Sequence, residues 1–370
     1  GTSNRQKIRG IPKGVRGERR RPRQSNTAVA VVSFRWYRRF VEYLLLYLML
    51  SIHMSIARML MSGNMRRFDV CVVGHFTLDS IVLPSRQTPF TVLGGSAAYV
   101  SLINRRLEAA ASVISKVGSD FPNAYLWWLG QEGIDLSAVS KADGANTTRF
   151  ELKYSQDLSD RILLLKSRAP PITVEDLPKT LFSKAVHLAP VAGEVAYDVA
   201  EKLSHCADVI SLDSQGLVRS FDEQGNVASC SLADKQILEL VDIYKSSLTE
   251  IEAVTGQADL NSAIKAVHDY GVETVIVTLG MKGAVLSIEN SIVNVPACHS
   301  AKTVDPTGAG DVFIGGFLTE YVRGGDSLWC ACVGSAAASL VIEGIGPTFF
   351  GDRQTIDQRA RELYEKGIKQ

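Results

Sequence analysis

The sequence predicts an α/β protein whose mostly parallel central sheet is covered by helices on both faces. From Met65 onward, short runs rich in β-branched residues alternate with longer helix-like segments. This rhythm is typical of parallel sheets whose crossovers are helical. The composition, with 46% hydrophobic and 21% charged residues among 370, is that of a globular chain. Its length suits one large domain or two smaller ones.

The alternation begins with a strand-like run at residues 68–74 that is dominated by β-branched residues and ends in glycine. Residues 97–107 are helix-like, 111–116 strand-like and 123–132 helix-like, and Gly133 follows at the position of a C-cap. Further strand-like runs occur at 185–188, 209–212, 243–246 and 274–278. We expect these runs to build the central sheet.

Two segments break the alternation. Residues 76–92 and 147–166 contain strand-like runs with no helix between them, which predicts a small separate β-sheet. Such a sheet could lie over a ligand site as a lid. The sequence therefore predicts one domain over residues 65–370 that carries a lid formed by these two segments.

The first 64 residues differ in charge from the rest of the chain. They hold thirteen Lys and Arg against two Glu, a charge of +11, so the remaining residues carry −10 of the net +1. An acidic main domain argues against general nucleic-acid binding.

Residues 1–64 are expected to be non-native sequence outside the fold, because the chain begins with Gly1 and Met65 opens a new hydrophobic pattern that resembles a natural start. Residues 43–57 are fifteen uncharged residues, fewer than the roughly 20 that cross a bilayer, and no convincing cleavage site follows. An interfacial amphipathic anchor is the second interpretation and a membrane span the third.

The six cysteines are scattered and form no CxxC pair. Reduced thiols are typical of a cytoplasmic protein, so the expected location is the cytoplasm.

The most informative stretch contains Gly308, Ala309, Gly310 and Asp311, and leads into a helix-like run. Small residues leave backbone N–H groups unobstructed at a helix N-terminus, which favours anionic oxygen. A carboxylate in the first helical turn could accept the proton of a substrate hydroxyl. Together these features suit in-line phosphoryl transfer. On these four residues alone, a tight glycine turn with a capping aspartate remains an equal alternative.

Residues 305–311, Asp-Pro-Thr-Gly-Ala-Gly-Asp, resemble the C-terminal D-T-x-G-A-G-D motif of the ribokinase-like (PfkB) carbohydrate kinases. Residues 94–98 and 117–120 resemble the family's N-terminal G-G pattern with its downstream V-G-x-D. The resemblance covers about residues 65–356. It implies a three-layer α/β/α fold with a mostly parallel sheet and a β-sheet lid, and a kinase that uses ATP and Mg²⁺, with a monovalent cation also possible.

By position, the resemblance makes Asp311 the catalytic base, and Gly308, Ala309 and Gly310 the anion hole. Asp79 matches the family's acidic residue after the first strand, which binds substrate hydroxyls, although a turn aspartate is the alternative. Gly94 and Gly95 would let the backbone approach the substrate. Ala98 departs from the pattern, because many members have Asn nearby, and this puts a ribokinase-type furanose pocket in doubt.

For the nucleotide, Thr278, Gly280 and Gly283 resemble the family's T-x-G-x-x-G loop, whose small residues admit the ATP phosphates and ribose. On the pattern alone, a strand-to-hairpin turn is the better interpretation. Gly346, at the end of the small-residue region that begins at 334, would border the adenine by family position.

For the metal, residues 247–250 resemble the family's N-x-x-E motif, with Ser247 in place of Asn. The resemblance implies that Glu250 helps hold hydrated Mg²⁺ and that Asp213 joins the same water network. Lys245 and Arg219 are candidate phosphate partners.

The acceptor is the least determined feature. Residues 94–99, 147–166 and 346–350 most resemble the myo-inositol kinase branch, which implies a small polyol or sugar. Ribose, fructose and nucleosides remain alternative acceptors. A nucleoside would need an aromatic stacking surface such as Phe76, Phe90 or Tyr99. Exposed lid edges could pair two subunits into a homodimer.

Other function classes fit less well. The chain has no G-x-x-x-x-G-K-[ST] motif and no G-x-G-x-x-G after the first strand, which disfavours P-loop kinases and nicotinamide dehydrogenases. A non-catalytic ligand-binding protein on the same fold remains an alternative. Retention of Asp311 argues against it.

Overall fold

The computed structural model describes residues 67–367 except 87, 158–160, 290 and 301. Its strands are β1 (Phe68–Val73), β2 (Thr77–Val82), β3 (Phe90–Gly94), β4 (Ala111–Gly118), β5 (Asp135–Ala142), β6 (Thr148–Tyr154), β7 (Arg161–Ser167), β8 (Ser183–Leu188), β9 (Ala207–Asp213), β10 (Arg219–Phe221), β11 (Val227–Ser229), β12 (Ile243–Ser247), β13 (Thr274–Thr278), β14 (Ala284–Ile288) and β15 (Ser291–Val295). Its α-helices are α1 (Ser96–Arg106), α2 (Asn123–Gln131), α3 (Tyr197–Ser204), α4 (Leu248–Thr255), α5 (Leu260–His268), α6 (Ala309–Tyr321), α7 (Ser327–Val341) and α8 (Arg353–Gly367).

The central sheet has the order β15-β14-β13-β12-β9-β8-β1-β4-β5. Every pair from β13 to β5 is parallel, while β13, β14 and β15 form antiparallel pairs at the other end. The predicted, mostly parallel sheet is confirmed. Strands β5 and β15 were not predicted, because their exposed positions lack the continuous apolar pattern of a fully buried strand. The short strand β14, which is mostly buried, was not predicted either.

Strand β1 shows why helices cover both faces. Val70 and Val72 enter one hydrophobic core with residues of α1, α6 and α7. Cys71 and Val73 enter a second core with residues of α3, α4 and α5. Because successive side chains of a strand point to opposite faces, a strand buried on both sides separates two cores. The three-layer α/β/α arrangement follows.

The second predicted sheet is also present. It has the order β3-β2-β6-β7, in which β2 and β6 are parallel and the other pairs antiparallel. A third apolar cluster contains Phe150 and Leu152 of β6 together with Val191 and Ala192, which follow β8. This cluster joins the small sheet to the carboxyl edge of the central sheet.

The interpretation of residues 1–64 lies outside the described residues. Within the described part of the chain, no helix is both long enough and apolar enough to cross a membrane.

Helices α6 and α7 pack at backbone distance. A Cβ atom on Gly334 of α7 would lie 2.5 Å from the carbonyl oxygen of Phe313, and one on Gly316 of α6 would lie 3.1 Å from the Cα of Gly334. The small-residue run that begins at 334 thus lies in a tightly packed helix.

We expect Gly334→Ala to lower the free energy of unfolding by about 1–3 kcal/mol, because an added methyl group in a close-packed interface forces the backbone to shift. The matched control is Gly130→Ala in α2, where a Cβ meets no atom within 4 Å. That change should raise stability by about 0.5–1 kcal/mol through helix propensity. Urea unfolding measures both. Equal stability of the Gly334 variant and wild type would contradict the packing.

Candidate active site

The anion loop, residues 308–310, begins helix α6. Gly308 is the N-cap of α6 with φ 79°, a left-handed conformation that glycine adopts without strain. A Cβ on Gly308 would lie 2.3 Å from the Tyr99 ring. One on Gly310 would lie 2.9 Å from Nζ of Lys245. The Tyr99 ring therefore requires glycine at 308, and a side chain at 310 would displace the Lys245 ammonium group. The N-terminus of a helix such as α6 favours an anion.

Asp305, which is buried, holds this loop in place. Its Oδ1 accepts hydrogen bonds from the backbone N–H of Thr307 at 3.0 Å and from the Thr307 hydroxyl. Its Oδ2 accepts one from the backbone N–H of Gly346 at 3.0 Å. The structure therefore places Gly346 against the support of the anion loop, with Val92 of β3 as its other neighbour.

Asp311 lies in the first turn of α6, as predicted. Burial raises the pKa of its carboxyl to about 6. The positive charges of Lys245 and Arg219 oppose this rise, and the negative charge of Asp213 adds to it. A carboxylate whose pKa lies near neutrality is suited to accept a proton as a general base.

Asp79 of β2 lines the same pocket as Asp311. Burial raises its pKa to about 6, and the hydroxyl of Thr77, which donates to Oδ1 at 2.6 Å, opposes the rise. A Cβ on Gly94 would lie only 2.0 Å from Oδ2 of Asp79, and one on Gly95 2.3 Å from the carbonyl oxygen of His75. The two glycines thus make room for Asp79 and the backbone beside it.

A group of charges lies at the carboxyl ends of β9 and β12. Nζ of Lys245 is 2.6 Å from Oδ2 of Asp213, and both side chains are almost fully buried. Glu250 begins α4, where its carboxylate accepts the backbone N–H of Ser247 at 2.6 Å and the Ser247 hydroxyl accepts the N–H of Glu250. Ser247 is thus a helix cap, a role that a short hydroxyl side chain performs well.

Arg219 completes this group from the start of β10. Its guanidinium donates to the carbonyl oxygen of Val191 at 3.0 Å and to the Gln215 side chain. Burial and the nearby charge of Arg161 lower the pKa of Arg219 to about 10. The group therefore places two cations, Lys245 and Arg219, among the carboxylates of Asp213, Glu250 and Asp311.

Thr278 pairs with Ser247 across β13 and β12, and its hydroxyl donates to the carbonyl oxygen of Ser246 at 3.3 Å. Gly280 and Gly283 follow in the connection to β14, both with positive φ. This loop is a strand-to-hairpin turn that starts beside Ser247 and Glu250. It does not line the pocket of Asp79 and Asp311.

That pocket also contains residues that sequence analysis did not assign. They come from the small sheet, from the anion loop and from the region after β9: Phe150, Leu152, Arg161, Leu163, Gln215 and Thr307. The Tyr154 hydroxyl and Oγ1 of Thr307 are hydrogen-bonded at 2.7 Å, and Nη1 of Arg161 donates to Tyr154 at 3.1 Å. Position in the predicted lid could have indicated the residues of the small sheet, whereas Thr307 lies within the 305–311 motif and Gln215 lies two residues after Asp213.

Comparison with protein families matches residues 67–352 to the pfkB family carbohydrate kinases. The chain belongs to the PfkB family. It is therefore a kinase that phosphorylates a hydroxyl group of a sugar, nucleoside or inositol-like compound.

Relatives of this PfkB kinase are named as kinases of different acceptors. It is 28% identical to a cytidine kinase of Thermococcus kodakarensis over 74% of this chain and 96% of the relative. It is 30% identical to an inositol 3-kinase of Oryza sativa subsp. japonica over 80% of this chain and 74% of the relative.

A solved structure shares the fold of this PfkB kinase with a TM-score of 0.66 at 22% identity, over 79% of this chain and 99% of the other. It is a pyrophosphate-dependent kinase of the ribokinase family in complex with a pyrophosphate analogue and myo-inositol. The ribokinase-like fold is thereby confirmed.

Ionisation of the Asp311 carboxyl makes the free energy of unfolding of the PfkB kinase fall as the pH rises. Its pKa rises from 3.8 to about 6 on folding. The contribution of the protonated carboxyl to stability is therefore fully present below pH 3.8 and is lost as the pH rises through 6. Asp311→Asn should therefore be more stable than wild type at pH 8 by about 1 kcal/mol, a discounted value because the side chain is only partly buried. The gap should vanish near pH 4.

Urea unfolding at both pH values measures this gap. Asp143→Asn, at an exposed turn, is the matched control. A variant that is less stable than wild type at pH 8 would show that the Asp311 carboxylate stabilises the fold.

Proposed function

We propose that this kinase transfers the γ-phosphoryl group of ATP to a hydroxyl of a small polyol or sugar, with myo-inositol the favoured acceptor. The observation that carries the proposal is the pocket in which Asp79 and Asp311 lie together at the N-terminus of α6. A carboxylate pair beside accessible helix N–H groups can hold a polyol, remove its proton and stabilise an anionic group.

Each group has a separate task. Asp79 accepts hydrogen bonds from acceptor hydroxyls and fixes the ring. Asp311 accepts the proton of the attacking hydroxyl, and the N–H groups of residues 308–310 stabilise charge on the transferring group. Thr278, Gly280 and Gly283 contact the ATP phosphates and ribose, and Gly346 closes the adenine side of the site.

Glu250 fits a magnesium site. Its carboxylate lies at the N-terminus of α4 within the electrostatic reach of Lys245 and Arg219, and Mg²⁺ commonly uses one or two carboxylates together with substrate phosphates. Asp213 would belong to the hydration shell of that ion. When bound, Mg²⁺ neutralises phosphate charge.

Packing of the aromatic residues favours a polyol over a nucleoside. Phe76 is fully buried and stacks on Phe121 with ring centroids 6.0 Å apart. Tyr99 is 1% exposed and its ring lies against Gly308. Neither ring is free to stack on a base, whereas the polar side chains around Asp79 suit hydroxyl groups.

A nucleoside is the second candidate. Phe150 lines the pocket, and the 28%-identical relative is a cytidine kinase. However, the guanidinium of Arg219 lies over the Phe150 ring at 5.8 Å from its centroid. A base would have to displace it.

The small sheet acts as the lid in this proposal. The hydrogen bond between Tyr154 of β6 and Thr307 of the loop before α6 links the sheet to the anion loop. Closure excludes water, which would otherwise compete with the acceptor for the phosphoryl group.

The acceptor is tested by ADP formation from ATP and Mg²⁺ by the full chain with myo-inositol, ribose, fructose, cytidine or adenosine. We expect strong stimulation by myo-inositol and little by the nucleosides. Pyrophosphate replaces ATP in a parallel series, since the solved relative uses that donor. Stimulation by cytidine alone would select the second candidate. ATP binding without turnover for any acceptor would favour a binding protein.

Asp311→Asn should lower kcat by about 10²–10⁴-fold, the usual effect of losing a positioned base, with the KM for the acceptor within about threefold of wild type. Steady-state kinetics at pH 8 measure both constants. An unchanged kcat would exclude Asp311 as the base.

The homodimer also remains a prediction. Strand β7 is an edge of the small sheet. The turn between β10 and β11 already covers Leu164 and Leu165, where the N–H of Leu165 donates to the carbonyl oxygen of Gly225 at 2.8 Å, whereas Ile162 is 62% exposed. Because the uncovered part of an edge strand can pair between chains, we expect a dimer that Ile162→Lys converts to a monomer. Sedimentation velocity measures the mass. A monomeric wild type would refute the pairing.

A further inference from the structure

Lys245 is a buried cation whose position the base and the anion loop do not explain. It lies in the middle of the sheet on β12, with 5% of its surface exposed. Burial lowers its pKa, but attraction to Asp213 and Glu250 outweighs burial and the net pKa is raised. A lysine that stays charged inside a protein needs such partners.

The ammonium group lies directly beside the anion loop. A Cβ on Gly310 would be 2.9 Å from Nζ and 3.5 Å from Cε of Lys245. Glycine at 310 therefore leaves the loop open towards the ammonium group. Asp213 holds Nζ at 2.6 Å from the opposite side.

Charged groups from several elements face Asp311. Lys245 of β12 and Arg219 of β10 lower its pKa, and Asp213 of β9 raises it. Asp79 of β2 and Arg161 of β7 also interact with Asp311 electrostatically. Lys245 has the largest effect of these charges.

We propose that Lys245, anchored by Asp213, is a second catalytic residue, which contacts the transferring phosphoryl group beside the anion loop. Its positive charge also favours the ionised form of Asp311. The proposal rests on the proposed phosphoryl transfer. Asp213 acts through Lys245 and is a positioning residue. Its Oδ2 is engaged by Nζ, so the magnesium hydration shell would be reached through Oδ1, which also accepts the backbone N–H of Gln215 at 3.1 Å.

The acceptor oxygen forms a bond to the γ-phosphorus, and the bond from that phosphorus to the β,γ-bridging oxygen breaks, so its electron pair leaves with ADP. The acceptor proton passes to the Asp311 carboxylate. Lys245 donates a hydrogen bond to a non-bridging oxygen as negative charge develops there, and forms no covalent bond.

Two single variants should shift the pKa of Asp311 in opposite directions. Lys245→Met removes a positive charge, so the Asp311 pKa should rise above its value of about 6. Asp213→Asn removes a negative charge, so the same pKa should fall. Carbon-13 NMR titration of the aspartate carboxyl groups, with Asp311→Asn to assign the signal, measures the shift without requiring turnover. Shifts of opposite sign would show that the two charges set the ionisation of Asp311, whereas the phosphoryl contact is tested by turnover.

The double variant Lys245→Met/Asp213→Asn removes both charges and leaves neither partner buried alone, which protects the fold. Its kcat should fall about 10²–10³-fold, the scale for losing one stabilising donor, with the acceptor KM within about threefold of wild type. The acid limb of the pH profile of kcat/KM should move to higher pH in Lys245→Met and to lower pH in Asp213→Asn. Lys265→Met, at an exposed position of α5, is the matched control and should match wild type.

A folded double variant with wild-type kcat would overturn the phosphoryl contact. Titration shifts of the same sign, or none, would overturn the effect on Asp311. If wild-type protein transfers phosphoryl to no acceptor from ATP or pyrophosphate, the proposed function and the phosphoryl contact both fail, while the NMR titration still decides whether the pair controls Asp311.

Discussion

The backbone-level packing of α6 between α1 and α7 is the constraint on which the site depends. A Cβ on Gly315 would lie 2.4 Å from the Ile103 side chain of α1. Asn104 of α1 donates to the carbonyl oxygen of Gly315 at 2.8 Å and to the hydroxyl of Thr319 at 2.9 Å. With α7 equally close on the other side, α6 can neither slide nor rotate, and its N-terminus and Asp311 keep one position.

That fixed N-terminus lies beside the carboxyl ends of parallel strands, which is where ligands bind in open α/β sheets. Strands β9 and β12 bring Asp213 and Lys245 to this edge, and the neighbouring small sheet brings Asp79. Burial makes the two pocket carboxylates hard to ionise, since both pKa values rise to about 6. Nearby cations offset part of that cost. The same charges that stabilise the carboxylates also suit an anionic phosphoryl group.

Selection between acceptors depends on finer features than those of the family. Relatives named for cytidine and for inositol have similar identity to this chain, so overall similarity does not separate them. The pocket side chains differ in kind: Arg161, Gln215 and Arg219 bind hydroxyl groups well, and Phe150 is the aromatic ring that a base could approach. Small-molecule specificity of this type comes from a few polar groups placed within a larger apolar pocket.

The sequence by itself determined the fold class, most strands of the central sheet, and the position of Asp311 in the first turn of α6. These features depend on local patterns, because β-branched runs and a glycine-rich helix start are encoded by neighbouring residues. The partly exposed strands β5 and β15 were missed, since partly exposed strands have weak apolar patterns, and the short buried strand β14 was missed as well. Only the tertiary structure decided that Lys245 pairs with Asp213, that Tyr154 meets Thr307, that Asp305 holds Gly346, and that Phe76 is buried away from the pocket. Those contacts join residues up to 153 positions apart in the chain, and their partners are chosen by the packing of strands and helices, which no local pattern records.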